Sequence, residues 1–282
     1  MASGGQQLLD GVPRGMVICE SRMLSPCASS AGGPVHPGPD PLRPHPLLTR
    51  YHASEQERRR QVNRWFDESA THYDFITQAM SFGSGHWYRK QALLRAGLAE
   101  GMRVLDIACG TGVLASHAQD IVGVHGLVIG LDSSAGMLAE ARRRGVDRRV
   151  QAIAEALPLG SERFDLLSMG YALRHVADLR ATFREYWRVL KPGGKVLILE
   201  ITPPRSRLPF QLLRFYLGRV IPLVARLGRG GRGAQGLMNY YWDTLEHCVA
   251  PPVILGALEE AGFSSVCRHV EMGIFSEYTA DR

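Results

Sequence analysis

The stretch RVLDIACGTGVLASH, residues 103–117, constrains this chain more than any other. An apolar run ends in a turn carrying Gly110 and Gly112, and helical spacing follows. Glycines at such a turn let backbone approach a bound group where a Cβ would clash, so a strand, a glycine turn and a helix in this order place a ligand at the strand's carboxyl end. Downstream, short apolar runs at 104–108, 127–131, 150–154, 166–169 and 196–201 alternate with helix-like segments such as 134–145 and 178–190. Alternation of this kind predicts an α/β domain: a parallel sheet with helices on both faces and ligands at its carboxyl edge.

The length of 282 residues, with 45% hydrophobic and 21% charged, allows one large core, or one core with a small satellite. Residues 1–50 hold eight of the sixteen prolines and show no helical or strand period, so 1–52 is expected to be a disordered Pro/Gly-rich tail, with Met16 or Met23 as later starts. The rest, 53–282, reads as one domain. It has a helical preface over 54–98 with Ser54 as N-cap and a Gly-rich break at 83–85, then a core over 102–202. An Arg-rich cap over 203–248 and a C-terminal helix and strands over 249–282 complete it. The formal charge of +6 leaves an anionic ligand, a membrane surface or nucleic acid open. The five cysteines show neither C-x-x-C nor a metal-type spacing with His, so no disulfide framework and no metal are expected, and a reducing, cytoplasmic setting fits. No run of about 18 apolar residues suggests a membrane span.

The glycine turn alone serves two cofactor classes. Gly110, Gly112 and Ala115 satisfy the spacing of dinucleotide folds and equally that of S-adenosylmethionine sites, and Asp132, 20 residues after Gly112, can accept ribose hydroxyls in either. Three features separate them. Asp106 would repel a pyrophosphate at this helix N-terminus, but it favours a ligand carrying an ammonium and a sulfonium. Ala115 stands where a third glycine is commonest, which is a weak signal. In WRVLKPGGKVLILE, 187–200, a helix ends, Pro192-Gly193-Gly194 turns the chain, and a strand follows.

VLDIACGTG, GLDSSAGML, AIAEALPL, FDLLSMGYALRHV and RVLKPGGKVLILE stand in the order and spacing of class I S-adenosylmethionine-dependent methyltransferases, which the chain resembles. More narrowly, YDFITQAMSFG…HWYR, ALRHV and MNYYWDTLEH…LGALEEAGFSSV resemble the ubiquinone/menaquinone biosynthesis C-methyltransferases from about residue 60 to the end. The resemblance implies a Rossmann-like α/β fold: a seven-stranded, mostly parallel sheet with an antiparallel last strand formed from 265–274 and 276–280, plus a helical substrate cap. It implies S-adenosylmethionine as cofactor, with Gly110, Thr111 and Gly112 at the methionine part, Asp132 at the ribose, and Ile153 with Ala154 at the adenine. Glu155 adds a polar contact, and Asp106, Ser133, Met137 and Gly170 complete the cofactor set. Ile153 and Ala154 also read as ordinary core at a strand end.

A reduced quinone-type ring becomes nucleophilic at carbon when a phenolic proton leaves, so a base and a cation beside the oxygen would both help. Arg174 matches a family arginine and is suited to face the phenolate. His175 stands where the family more often has Asn; its imidazole either takes the proton or simply begins the next helix. Tyr73 and Asp74 resemble substrate-side positions. Thr77, in place of the usual Asn, and Gly170, in place of a usual Ser, put the acceptor in doubt more than the donor. Segment 203–238 carries seven arginines and no acid among apolar residues, which fits peripheral contact with an anionic membrane or a solvated face of a capping helix pair. Nucleic acid is not expected, since no recognition motif accompanies the charge. Three alternatives remain: C- or O-methylation of another small apolar acceptor, an NAD(P)-dependent oxidoreductase, and a binder without catalysis.

Overall fold

The computed structural model describes residues 16–18, 40–80, 85–204, 206–227 and 231–282. A three-residue strand β1 (Met16–Ile18) comes first, followed by helices α1 (Glu55–Met80) and α2 (Gly85–Arg95). The core then alternates through β2 (Arg103–Ile107), α3 (Val113–Val122), β3 (Leu127–Asp132), α4 (Ala135–Arg143), β4 (Arg149–Gln151), β5 (Phe164–Gly170), α5 (Leu179–Val189) and β6 (Leu190–Ile201). Helices α6 (Arg207–Phe215), α7 (Ile221–Leu227), α8 (Gly231–Glu246) and α9 (Pro251–Glu260) lead to the closing strands β7 (Ser264–Glu271) and β8 (Phe275–Asp281).

The strand order is β1-β7-β8-β6-β5-β2-β3-β4, with β6, β5, β2, β3 and β4 mutually parallel and β8 antiparallel to both its neighbours. The expected seven strands with an antiparallel last strand are therefore present, and β1 adds an eighth against the edge of β7, with Met16 opposite Val270. Strand residues alternate between two packed faces. Leu105 and Ile107 join Phe183, Tyr186 and Leu258 on one side, and Val104 joins Leu93, Leu114 and Ala118 on the other. A third cluster, with Leu217, Ile221, Met238 and Trp242 packed against Trp65 and Phe66, joins the cap helices to α1.

Three sequence expectations change. The first fifty residues are not wholly without structure: β1 is a strand, and 40–52 form a strap over the domain. Leu42 N donates to Asp178 Oδ1 at 3.0 Å, Val249 N donates to Pro44 O at 2.7 Å, and His45 and His52 are buried. Composition hid this because the partners that satisfy the strap's backbone lie more than a hundred residues away. Second, Pro192–Gly194 is not a turn before a strand but a bulge inside one: β6 pairs with β5 at Leu190 and again from Lys195, with the register shifting between. Third, although arginines interrupt every apolar run, the 20-residue helical stretch Arg207–Arg226 holds an 18-residue window with a mean hydropathy of 1.2, 22% of it buried, which by length and composition only is enough to cross a membrane. Ser54 behaves as expected, accepting from Glu57 N at 3.2 Å while Glu57 accepts from Ala53 N at 2.7 Å. The glycine break lies, Gly85 apart, outside the described residues.

The turn after β2 shows two different uses of glycine. Gly112 (φ +80°) caps α3, and a Cβ there would meet Val146 Cγ2 at 2.9 Å and Ala141 Cβ at 3.1 Å. Gly110 (φ +55°) has nothing within 4 Å of where its Cβ would be. In urea denaturation, Gly112→Ala should lose at least about 2 kcal/mol from backbone strain and overlap together, whereas Gly110→Ala should lose only about 1 kcal/mol for its left-handed backbone.

Candidate active site

The parallel register sets Asp106 level with Gly130 and Ser168, so the residues that follow β2, β3 and β5 emerge together at the sheet's carboxyl edge. A cavity of about 520 Å³ opens there. One wall of it includes Asp106, Gly110, Thr111, Asp132, Ser133 and Met137, joined by Ile153, Ala154, Glu155 and Gly170. Gly112 is not on the cavity surface; it shapes the turn from behind. Every other residue of the expected cofactor set therefore lies on one surface.

Asp106 is fully buried; its Oδ1 accepts from Ser168 Oγ at 2.7 Å, and its Oδ2 has no partner. Burial pushes its pKa up to about 7, against the Ser168 hydrogen bond, the backbone N–H of Ala115 and the positive charge of Arg89. Asp132 accepts from Gly110 N at 2.8 Å and from Ser134 N at 2.9 Å, and burial raises its pKa as well. Glu155 accepts from Ala177 N at 2.5 Å and lies 3.6 Å from Arg59. Ser133 Oγ donates to Asn63 Oδ1 at 2.8 Å, and Asp67 Oδ1 accepts from Ser134 Oγ at 2.6 Å and Gly136 N at 2.8 Å. Helix α1 thus clasps the loop after β3 from outside.

The second half of the cavity is aromatic and apolar, lined by Phe66, Tyr73, Tyr171, Tyr241, Ile274 and Phe275, with Leu213, Tyr216 and Leu217 from the cap. Tyr73 faces it, its phenol pushed above its ordinary range by burial. Asp74 also lines the cavity, with its carboxylate engaged: Oδ1 accepts from Thr111 Oγ1 at 2.6 Å and Oδ2 pairs with Arg144, whose Nε also donates to Thr111 O at 2.9 Å. The hydroxyl of Thr77 donates to Asp74 O at 3.1 Å. A Cβ on Gly170 would meet Leu114 Cδ2 at 3.4 Å, an ordinary contact, so no close approach explains the absence of a serine there.

His175 lines the cavity, stacked 6.0 Å from Tyr240 and edge-on to Phe66 at 5.5 Å, with Nδ1 unpartnered. Its pKa is not that of a free imidazole. Burial, reinforced by Arg174, Arg58 and His45, holds it well below 6.5, so the imidazole is neutral at pH 7. Arg174 is not on the cavity wall. Its Nη1 donates to Glu200 Oε2 at 2.8 Å and its Cζ lies 3.8 Å from the ring centroid of Tyr241, which forms the wall instead. The expectation that it faces the acceptor directly is corrected, because a buried guanidinium is held by the nearest buried carboxylate. Asn63, Asp67, Arg58 and Arg89 escaped the sequence reading, since polar residues on a helix look like a solvated face until a second element covers them.

The family described as ubiE/COQ5 methyltransferase matches residues 52–280. The chain is 32% identical over 244 residues to the ubiquinone/menaquinone biosynthesis C-methyltransferase UbiE of Geobacter sulfurreducens, covering 83% of this chain and 93% of that protein. It is 32% identical over 217 residues to 2-phytyl-1,4-naphtoquinone methyltransferase of Thermosynechococcus vestitus, covering 75% and 94%. Among solved structures, a SAM-dependent methyltransferase of Thermotoga maritima shares the fold with a TM-score of 0.55 at 19% identity, over 77% of this chain and 98% of that one. Fold and matches together define a class I S-adenosylmethionine-dependent methyltransferase, with S-adenosylmethionine as methyl donor. Within that class, the chain belongs to the ubiE/COQ5 methyltransferase family, which sets aside the oxidoreductase alternative.

The raised pKa of Asp106 has a thermodynamic consequence. A carboxyl near 7 in the folded state and near 3.9 in the unfolded state keeps its proton preferentially when folded, so its contribution is fully present below about pH 4 and is lost as pH rises through about 7. Urea denaturation of the ligand-free protein at pH 5, 6 and 7 should show Asp106→Asn gaining stability relative to wild type at each step, by up to about 1.4 kcal/mol per pH unit.

Proposed function

We propose that this enzyme transfers the methyl group of S-adenosylmethionine to a ring carbon of a reduced quinone-type acceptor. The observation that carries the reading is the continuity of the cavity, whose acidic, glycine-backed half runs into an aromatic, apolar half of a size suited to a ring. The names of the two relatives agree with it.

The residues present fit the donor. The unpartnered Oδ2 of Asp106 suits an ammonium, the empty space beside Gly110 admits a chain at van der Waals distance, and the lone pairs left on Asp132 suit a ribose diol. Thr111 would back the methionine part, Ile153 and Ala154 would flank the adenine, and Ser133, Met137, Glu155 and Gly170 would complete the wall. When bound, the donor supplies an electrophilic methyl carbon. The protein's own work is to hold the ring in line with it, exclude water and remove the phenolic proton. Neutral His175 accepts that proton, Tyr73 packs against the ring, and Arg174 adds positive charge from behind Tyr241.

Helix α6 also bears on how such an acceptor arrives. Leu213 faces the cavity, while Leu208, Leu212 and Phe215 are 67%, 62% and 64% exposed on the same helix. Exposed Arg207, Arg214, Arg219 and Arg226 accompany them, with no acid in between. An apolar face ringed with arginine fits an anionic bilayer surface, from which a prenylated ring can enter the cavity. On this reading, the enzyme is a cytoplasmic protein that visits the membrane.

Two experiments test the proposal. Labelled S-adenosylmethionine, offered with a short-chain demethylmenaquinol and a demethylated ubiquinol precursor kept reduced, should yield a carbon-methylated ring by mass spectrometry and NMR. His175→Ala should lower kcat about 100-fold at unchanged S-adenosylhomocysteine affinity. An oxygen-methylated product, or none, would reject the quinol carbon as acceptor. In flotation, the protein should rise with vesicles containing phosphatidylglycerol and stay behind with phosphatidylcholine alone, and Leu212→Glu with Phe215→Glu should abolish the difference; indifference of the wild type to anionic vesicles would sink the membrane reading.

A further inference from the structure

The cavity wall contains three guanidinium groups, and two of them are committed. Arg58 pairs with Glu55 and donates to the carbonyl oxygens of His175 at 3.1 Å and Val176 at 3.3 Å. Arg59 lies 3.6 Å from Glu55 and 3.6 Å from Glu155. The third, Arg89 of α2, has no carboxylate and no hydrogen-bond acceptor among the described residues, and its Cζ sits 4.9 Å from the ring centroid of Tyr171. Tyr171 directly follows Gly170 at the end of β5 and takes a left-handed backbone (φ +60°), in the chain reversal at the cavity wall.

Arg89 therefore stands where the two halves of the cavity meet. Its positive charge is felt by Asp106 on the donor side and by Tyr73, Tyr171 and Tyr241 on the acceptor side. A half-buried cation stacked on a ring, with its N–H fork unmatched, lacks the charge-assisted bonds that guanidinium groups normally make, and a planar anion is the partner that fits it.

We propose that Arg89 anchors an anionic oxygen of a molecule bound in the cavity. Two sources can supply that oxygen: the α-carboxylate of the methyl donor, whose ammonium would lie on Asp106, and the ionised hydroxyl of a quinol ring. The second source rests on the acceptor reading above; the first does not. Either way Arg89 is a positioning residue, and on the second source it does from the cavity surface what Arg174, locked to Glu200, does only from behind Tyr241.

The test uses the full-length chain as wild type, Arg89→Met and Arg89→Lys, with matching thermal melts as the folding control. Calorimetric titration compares S-adenosylhomocysteine with 5′-methylthioadenosine, which keeps the adenosine and thioether and lacks the amino acid. If the carboxylate is the anion, Arg89→Met weakens S-adenosylhomocysteine by about 10- to 100-fold, leaves methylthioadenosine unchanged, and is partly rescued by Arg89→Lys. For the acceptor, 4-nitro-1-naphthol is titrated by its naphtholate absorbance in the presence of S-adenosylhomocysteine. If the ring oxygen is the anion, the wild type lowers its pKa by about one unit or more and Arg89→Met returns it to the free value. An Arg89→Met protein that matches the wild type in both assays overturns the proposal. Neither assay requires turnover, so a failure of quinol methylation would reject the acceptor reading alone and leave the Arg89 result standing.

Discussion

The hydrogen bond from Gly110 N to Asp132 Oδ2, at 2.8 Å, ties the turn after β2 to the end of β3, and the site is built around it. The parallel register, with Asp106 opposite Gly130, makes the bond geometrically available. Burying Asp132 disfavours its charge, and the N–H groups of Gly110, Ser133 and Ser134 are what hold the carboxylate there. Moving that register by one residue would turn Asp106 to the other face and separate the turn from its acceptor.

Around this junction the charges are arranged by side. Carboxylates stand at the strand ends on one side, while burial, reinforced by Arg174 and Arg58 around the turn that carries His175, keeps its imidazole neutral. That neutrality has a physical cost and a use. A buried, cation-flanked imidazole is a weaker base than a free one, yet at neutral pH it is in the unprotonated form that can accept a proton. Helix α1 joins the two halves: Asn63 and Asp67 grip the loop after β3, Asp74 grips Thr111, and Phe66 and Tyr73 face the acceptor side.

Much of the core was legible in the sequence. The five apolar runs became strands with ends displaced by a few residues, because a parallel strand buried on both faces leaves an uninterrupted apolar signature. The donor half was legible for a related reason. Asp106 and Asp132 stand at the carboxyl ends of β2 and β3, and Gly110, Thr111, Ile153 and Ala154 come shortly after a strand, so locating the strands located them. The acceptor half was not. It is assembled from α1, α2, the cap helices and the β7–β8 hairpin, segments whose amphipathic patterns say which face is buried but not against what. Arg174 shows the limit most clearly: its place in a motif was correct, but its side chain turned to Glu200, 26 residues away, instead of the cavity.

The sequence by itself determined the α/β alternation, the glycine turn and the acids at the strand ends, because these depend on local backbone freedom and on short runs of buried apolar residues, and the resemblance of its motifs carried the class of cofactor. Tertiary structure alone decided which cations face the cavity, how far the His175 pKa falls, that residues 40–52 form a strap, and that one helix shows both the cavity and the solvent an apolar face. Those properties arise from distances between residues far apart in the chain, and electrostatics and packing depend on such distances, not on sequence order.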